Sequence, residues 1–174
     1  MENSEHCKTA VVGFGNILMG DEGVGVYIIE ELQKNYSPLT TCHSLEFIDG
    51  GTAAVDVLLS LKDVDKLIIV DAVKNGGIPG EIYRFHNPLR GQVFTIPYED
   101  KFSQFRNSEM QKTSLHDLNL VDALKIAEKL GTLPKEIVFI GVEPKEIEPR
   151  MGLSEELGNK IPEIIKTVLC EVKQ

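Results

Sequence analysis

The sequence predicts a three-layer α/β/α sandwich, with helices on both faces of a mainly parallel, twisted sheet. Short runs of branched apolar residues, continuous enough to be buried on both faces, alternate with longer segments whose apolar residues recur at helical spacing. The first such run ends in closely spaced glycines and paired carboxylates, which reads as strand, tight loop and helix. No internal repeat or low-complexity linker interrupts the alternation. The 174 residues are therefore expected to form a single domain, 1–174, long enough to bury a proper core.

The elements follow in order. Val11, Val12 and Gly13 mark the first strand, and Val24, Ile28, Leu32 and Tyr36 then fall on one face of a helix. Leu45 to Ile48 is the second strand candidate. Leu67-Ile68-Ile69-Val70 is the third, too short for a typical helix. Glu81 to Phe85 is the fourth. Residues 87–113 then form a long stretch in which Tyr98, Phe102 and Phe105 are spaced to share a helix face, beside Arg90, Lys101, Arg106 and Lys112. This stretch reads either as a surface excursion with its own small apolar contact or as a docking element for a protein partner. Leu120, Ala123, Leu124, Ala127 and Leu130 mark another helix, and Ile137 to Val142 another strand. Ile164, Ile165, Val168, Leu169 and Val172 form the apolar face of a closing helix, where Pro162 is expected to mark a break or restart.

Composition narrows the function. A formal charge of −9 disfavours a general nucleic-acid role, which depends on Lys and Arg neutralising phosphates. The N-terminus, Met1 to His6, is polar with no apolar signal core, and no later segment approaches membrane-spanning length. A cytoplasmic protein without membrane insertion is expected. The three cysteines, Cys7, Cys42 and Cys170, are scattered without a Cys-x-x-Cys pair and fit reduced thiols. Cys42 adjoins His43, yet neighbours in a strand point to opposite faces and make a poor nucleophile–base pair. There is no Gly-x-Ser-x-Gly elbow and no His-Glu-x-x-His helix.

Three residues with metal-ligating side chains each lie just beyond or beside an apolar segment. Glu22 follows the glycine-rich loop, Asp71 closes the third strand, and His116 lies in Ser114-Leu115-His116-Asp117. That last string has the spacing of a capping box and places His116 in a helix's first turn, where the dipole favours the neutral, metal-binding imidazole. In an open α/β sheet, sites gather outside the carboxyl ends of strands, where Glu22, Asp71 and Asp49 would emerge. Each residue also has an ordinary explanation. Asp21 and Glu22 can cap and charge-complement a helix start, Asp71 and Asp49 can be turn residues, and His116 can bond backbone or water. His6, His43 and His86 have no assigned role. The glycine-rich turn also invites a nucleotide reading. Against it, Leu18 occupies the third glycine position, and Asp21 with Glu22 puts negative charge where a pyrophosphate needs positive potential.

The motifs together resemble the hydrogenase maturation proteases. Gly13-Phe14-Gly15-Asn16-Ile17-Leu18-Met19-Gly20-Asp21-Glu22-Gly23-Val24-Gly25 is similar to that family's opening signature. Asp49-Gly50-Gly51-Thr52, Val70-Asp71-Ala72, Ser114-Leu115-His116-Asp117-Leu118, Gly141-Val142-Glu143-Pro144 and Glu148-Pro149 with Gly152-Leu153-Ser154 follow in the family's order. The resemblance implies an endopeptidase that cuts the C-terminal extension from a nickel–iron hydrogenase large-subunit precursor after nickel insertion. It also implies that Glu22, Asp71 and His116 bind nickel. The metal would arrive with the substrate, and another divalent ion could substitute for it. Two carboxylates and an imidazole leave coordination positions open for a metal already held by substrate cysteines. Asp49 joins Glu22, Asp71 and His116 as a catalytic candidate, positioning substrate or water. The alternative is a noncatalytic nickel-binding maturation chaperone that uses the same ligands.

Overall fold

The structure, a computed structural model, describes residues 7–36, 44–87 and 120–173. Among these residues five strands form one sheet in the order β2-β1-β3-β5-β4. They are β1 (Thr9–Phe14), β2 (Leu45–Gly51), β3 (Lys66–Ala72), β4 (Ile82–His86) and β5 (Glu136–Val142). The first two pair in parallel, as do β1 with β3 and β3 with β5, whereas β4 runs antiparallel along the edge beside β5. The sheet is thus mainly parallel, as the apolar runs predict.

Alternation along the strands divides the core in two. Val11, Ile68, Val70, Val138 and Ile140 face α1 (Val24–Tyr36) and α4 (Glu155–Val172). Ala10, Val12, Leu67, Ile69 and Phe139 face α2 (Ala54–Ser60) and α3 (Leu120–Lys129). Successive side chains of a strand point to opposite faces, so apolar residues at every position require a helix layer on each side. The edge strand is fastened to the closing helix by Arg84 and Glu171, 2.7 Å apart, with Glu171 fully buried.

Two elements depart from the sequence reading. Pro162 lies inside α4 and does not break it; the helix is capped at its start by Ser154, whose side chain accepts a hydrogen bond from the Leu157 N–H. Proline removes one backbone donor and crowds the preceding turn. Burial of Leu157, Ile164, Ile165 and Val168 in one continuous stripe outweighs that local penalty. The short α2 lacks a legible sequence signal because only Ala54 and Leu58 of its residues are buried.

The opening glycines act through close approach. A Cβ on Gly25 would fall inside contact distance of the Phe14 and Val70 carbonyl oxygens, and one on Gly13 would strike the Gly25 carbonyl. The start of α1 is therefore seated directly on β1 and β3. In an isolated helix, alanine would be favoured over glycine by about 1 kcal/mol. Here Gly25→Ala is expected to reverse that sign and destabilise the protein by about 3 kcal/mol, because the colliding atoms are backbone. Urea unfolding of the two proteins measures the difference.

Candidate functional site

Two carboxylates converge where the chain's connections diverge. From β1 the chain passes through α1 to β2 on one side, whereas β3 and β5 lie on the other. The crevice between the carboxyl ends of β1 and β3 is a topological switch point, the usual ligand position in such sheets. Pairing of β1 with β3 ends at Gly13 and Val70, so Asp71 is the first residue beyond it. On its other side Asp71 stays in register with Gly141 of β5. Glu22 arrives from the 3-10 turn Gly20–Gly23, which joins the β1 loop to α1.

The Glu22 turn is built from its loop outward. Asn16 folds the loop back, accepting the Leu18 N–H at 3.0 Å through its side chain and the Met19 N–H at 3.0 Å through its carbonyl. Gly15 has φ of +134°, and a Cβ there would strike the Glu22 carbonyl, so the turn presses on backbone that only glycine provides. Glu22 is left half-buried.

Asp71 retains partial solvent access, yet its carboxyl is closely surrounded by protein. Its pKa is raised from 3.8 to about 7, chiefly by burial and also by the negative charge of Glu22, against the lowering effect of the Ala72 N–H. Oδ1 accepts that N–H at 2.8 Å, and Oδ2 has no hydrogen-bond partner among the described residues. Asp71, poised near neutrality beside a second carboxylate, is suited to holding a proton or sharing a cation with it. Their hard oxygen donors fit a divalent ion with positions left open. No three His, Cys, Asp or Glu side chains converge as a metal site among the described residues. The expected third donor, His116, lies outside those residues, as do its Ser114-Leu115-His116-Asp117 capping box and the stretch from 88 to 119.

Asp49 reaches the same sheet edge one strand away, paired in register with Gly13. Its Oδ1 accepts the Gly51 N–H at 2.9 Å, closing a turn of its own. Cys7 and Cys170 are exposed free thiols, whereas Cys42 and His43 lie outside the described residues.

Two further carboxylates organise the site, and sequence reasoning assigns neither of them this role. Asp21, fully buried, accepts the Ser154 N–H at 2.6 Å and its hydroxyl at 2.8 Å, together with the Lys145 and Glu146 N–H groups at 2.9 and 3.3 Å. It locks the Glu22 turn to the connection between β5 and α4. A parallel bridge between Met19 and Arg150 reinforces the junction. Glu143, buried at the exit of β5, accepts the Asn75 N–H and the Tyr83 hydroxyl, both at 2.8 Å, and the Gly76 N–H at 3.1 Å. Burial alone would raise its pKa, but the Asn75 amide, the Tyr83 hydroxyl and the Gly77 and Gly76 amides outweigh that and hold it below the ordinary value. The available sequence signal for both residues is acidity immediately beside an otherwise apolar or glycine-rich element.

Comparison with known proteins identifies related chains. A model of the hydrogenase maturation protease family matches residues 26–89 and 90–171. The chain is 32% identical over 167 residues to the hydrogenase 2 maturation protease of Escherichia coli K12, covering 96% of this chain and 92% of that protein. The hydrogenase maturating endopeptidase HybD from E. coli superposes with a TM-score of 0.70 at 29% identity, covering 95% of this chain and 92% of that one. A hydrogenase 2 maturation peptidase from a Thaumarchaeota archaeon gives 0.64 at 29% identity, over 95% and 98% of the respective chains. Fold, motif order and these matches agree over nearly the whole length, and the chain belongs to the hydrogenase maturation protease family of endopeptidases.

Proposed function

We propose that this endopeptidase removes the C-terminal extension of a nickel–iron hydrogenase large-subunit precursor after nickel insertion, recognising nickel that the substrate itself carries. The observation that carries the reading is the pairing of Glu22 with Asp71 at the switch point, in a chain of this family. Glu22, Asp71 and His116 are the residues that would grip the substrate's metal, so that recognition reports metal loading. Bound metal would supply positive charge, favouring the ionised form of Asp71 and offsetting the effect of Glu22 on it.

Asp71 has a second capacity. With Oδ1 tied to the Ala72 N–H, Oδ2 is the atom that would hold or release a proton, and a pKa of about 7 makes either form accessible near neutral pH. Asp49, held in its own turn, would contribute by shaping the rim beside β1. The acidic chain is read as working on a protein partner in the cytoplasm, not on nucleic acid. Among the described residues no helix is long and apolar enough to cross a membrane.

Alanine at Glu22, Asp71 or His116 is expected to lower processing of the nickel-loaded precursor at least a hundredfold, as loss of a metal-gripping or proton-handling group does, while each variant stays folded. Timed gel assays with circular dichroism measure both quantities. Normal processing by all three variants would rule out the metal site.

A further inference from the structure

We infer that Glu143 is a positioning residue, and that the connection from Glu143 to Ser154 is a brace fixing the separation of Glu22 and Asp71. The inference rests on the reading of those two carboxylates as the substrate-metal site. At one end of the connection, the Glu143 carboxylate grips the loop that leaves Asp71, through the Asn75 and Gly76 amides. Its backbone is fixed as well. The Glu143 N–H donates to the Glu81 carbonyl at 2.9 Å, and its carbonyl accepts the Gly80 N–H at 2.8 Å.

Two residues further on, the same connection is gripped from the other side. The Lys145 and Glu146 amides donate to Asp21, the residue immediately before Glu22. At its far end the Ser154 amide and hydroxyl donate to the same carboxylate. One stretch of chain thus ties the loop after one site carboxylate to the turn bearing the other. The strand register fixes Asp71 along β3, but among the described residues no sheet pairing reaches Glu22. The brace adds a hydrogen-bonded cross-link to the close packing that seats the start of α1 on β1 and β3.

Glutamine at 143 keeps the side-chain length but replaces one acceptor oxygen with a donor amide facing backbone N–H groups. Supporting partners of this kind commonly change metal affinity by about 10–100-fold. Glu143→Gln is therefore expected to bind Ni²⁺ at least about tenfold more weakly than wild type by titration calorimetry. In amide NMR spectra of the metal-free protein it is expected to shift the Glu22 resonance as well as those of Asn75 and Gly76. Leu58→Ala, which opens the core on α2, controls for a general loss of stability: it is expected to lower Tm without altering Ni²⁺ affinity. If Glu143→Gln does not fold, Tyr83→Phe removes one of Glu143's donors and is expected to weaken Ni²⁺ binding about threefold.

Wild-type Ni²⁺ affinity in Glu143→Gln, with an unmoved Glu22 amide, would overturn the brace while leaving the metal site standing. If the wild-type protein itself fails to bind Ni²⁺, the metal reading loses its support, and the Glu22 amide alone decides the brace. A shift there retains it, and none rejects it.

Discussion

Asp71→Asn is expected to abolish processing of the precursor and, at the same time, to make the metal-free protein more stable at alkaline pH. The sign follows from the raised pKa. The folded chain holds a proton on Asp71 up to about pH 7, whereas an unfolded chain releases it near 3.8. The folded state therefore binds more protons across that interval, and stability falls as pH rises through it. Above pH 7 the full deficit remains. Asparagine is neutral throughout and can keep the acceptor for the Ala72 N–H, so it removes the deficit. Each tenfold change in proton affinity corresponds to about 1.36 kcal/mol; allowing for the residue's partial solvent access, about 2 kcal/mol is expected at pH 8. For a chain of this size that raises Tm by about 4–8 °C. At pH 4 the two proteins should melt together. Added Ni²⁺ should stabilise only the wild type, since a ligand stabilises the state that binds it. Melting curves at the two pH values, with and without Ni²⁺, test every part. Lower stability of the variant at pH 8 would contradict the electrostatic assignment.

The second large effect is expected at Asp21. Asp21→Asn replaces an acceptor of four hydrogen bonds with a group having one acceptor oxygen and a donor amide. Buried N–H groups are then left without partners at about 1–3 kcal/mol each. A loss of about 3 kcal/mol is expected, which lowers Tm by about 6–12 °C. Processing should fall as well, because Glu22 loses the anchor of its turn. At a temperature where the variant is fully folded, the defect should persist in kcat/KM. A variant that melts early yet processes normally when folded would restrict Asp21 to a stabilising role.

These two aspartates show how far the residues can be read unaided. The strand runs, the α1 face and the mainly parallel sheet are legible because branched apolar runs and helical spacing have few structural solutions. Asp71 is legible for the same reason, as a lone carboxylate closing the apolar run Leu67-Ile68-Ile69-Val70. Asp21 and Glu22 are adjacent and chemically alike at one helix start, and no local signal separates them. Only the fold turns Asp21 inward onto Ser154 and leaves Glu22 half-buried near Asp71. Glu143 is visible as part of a motif, but its clamp requires Asn75 and Tyr83, far away in sequence. Pro162 defies its local backbone preference because the continuous apolar stripe holding α4 together is a tertiary effect.

The most direct test is the mass of a co-produced hydrogenase large-subunit precursor after incubation with this protein, with and without nickel loading. Loss of a C-terminal peptide from the nickel-loaded precursor only is the predicted result. Unchanged mass in both samples, or equal cleavage of the nickel-free form, would contradict a protease that reads its substrate's metal through Glu22 and Asp71.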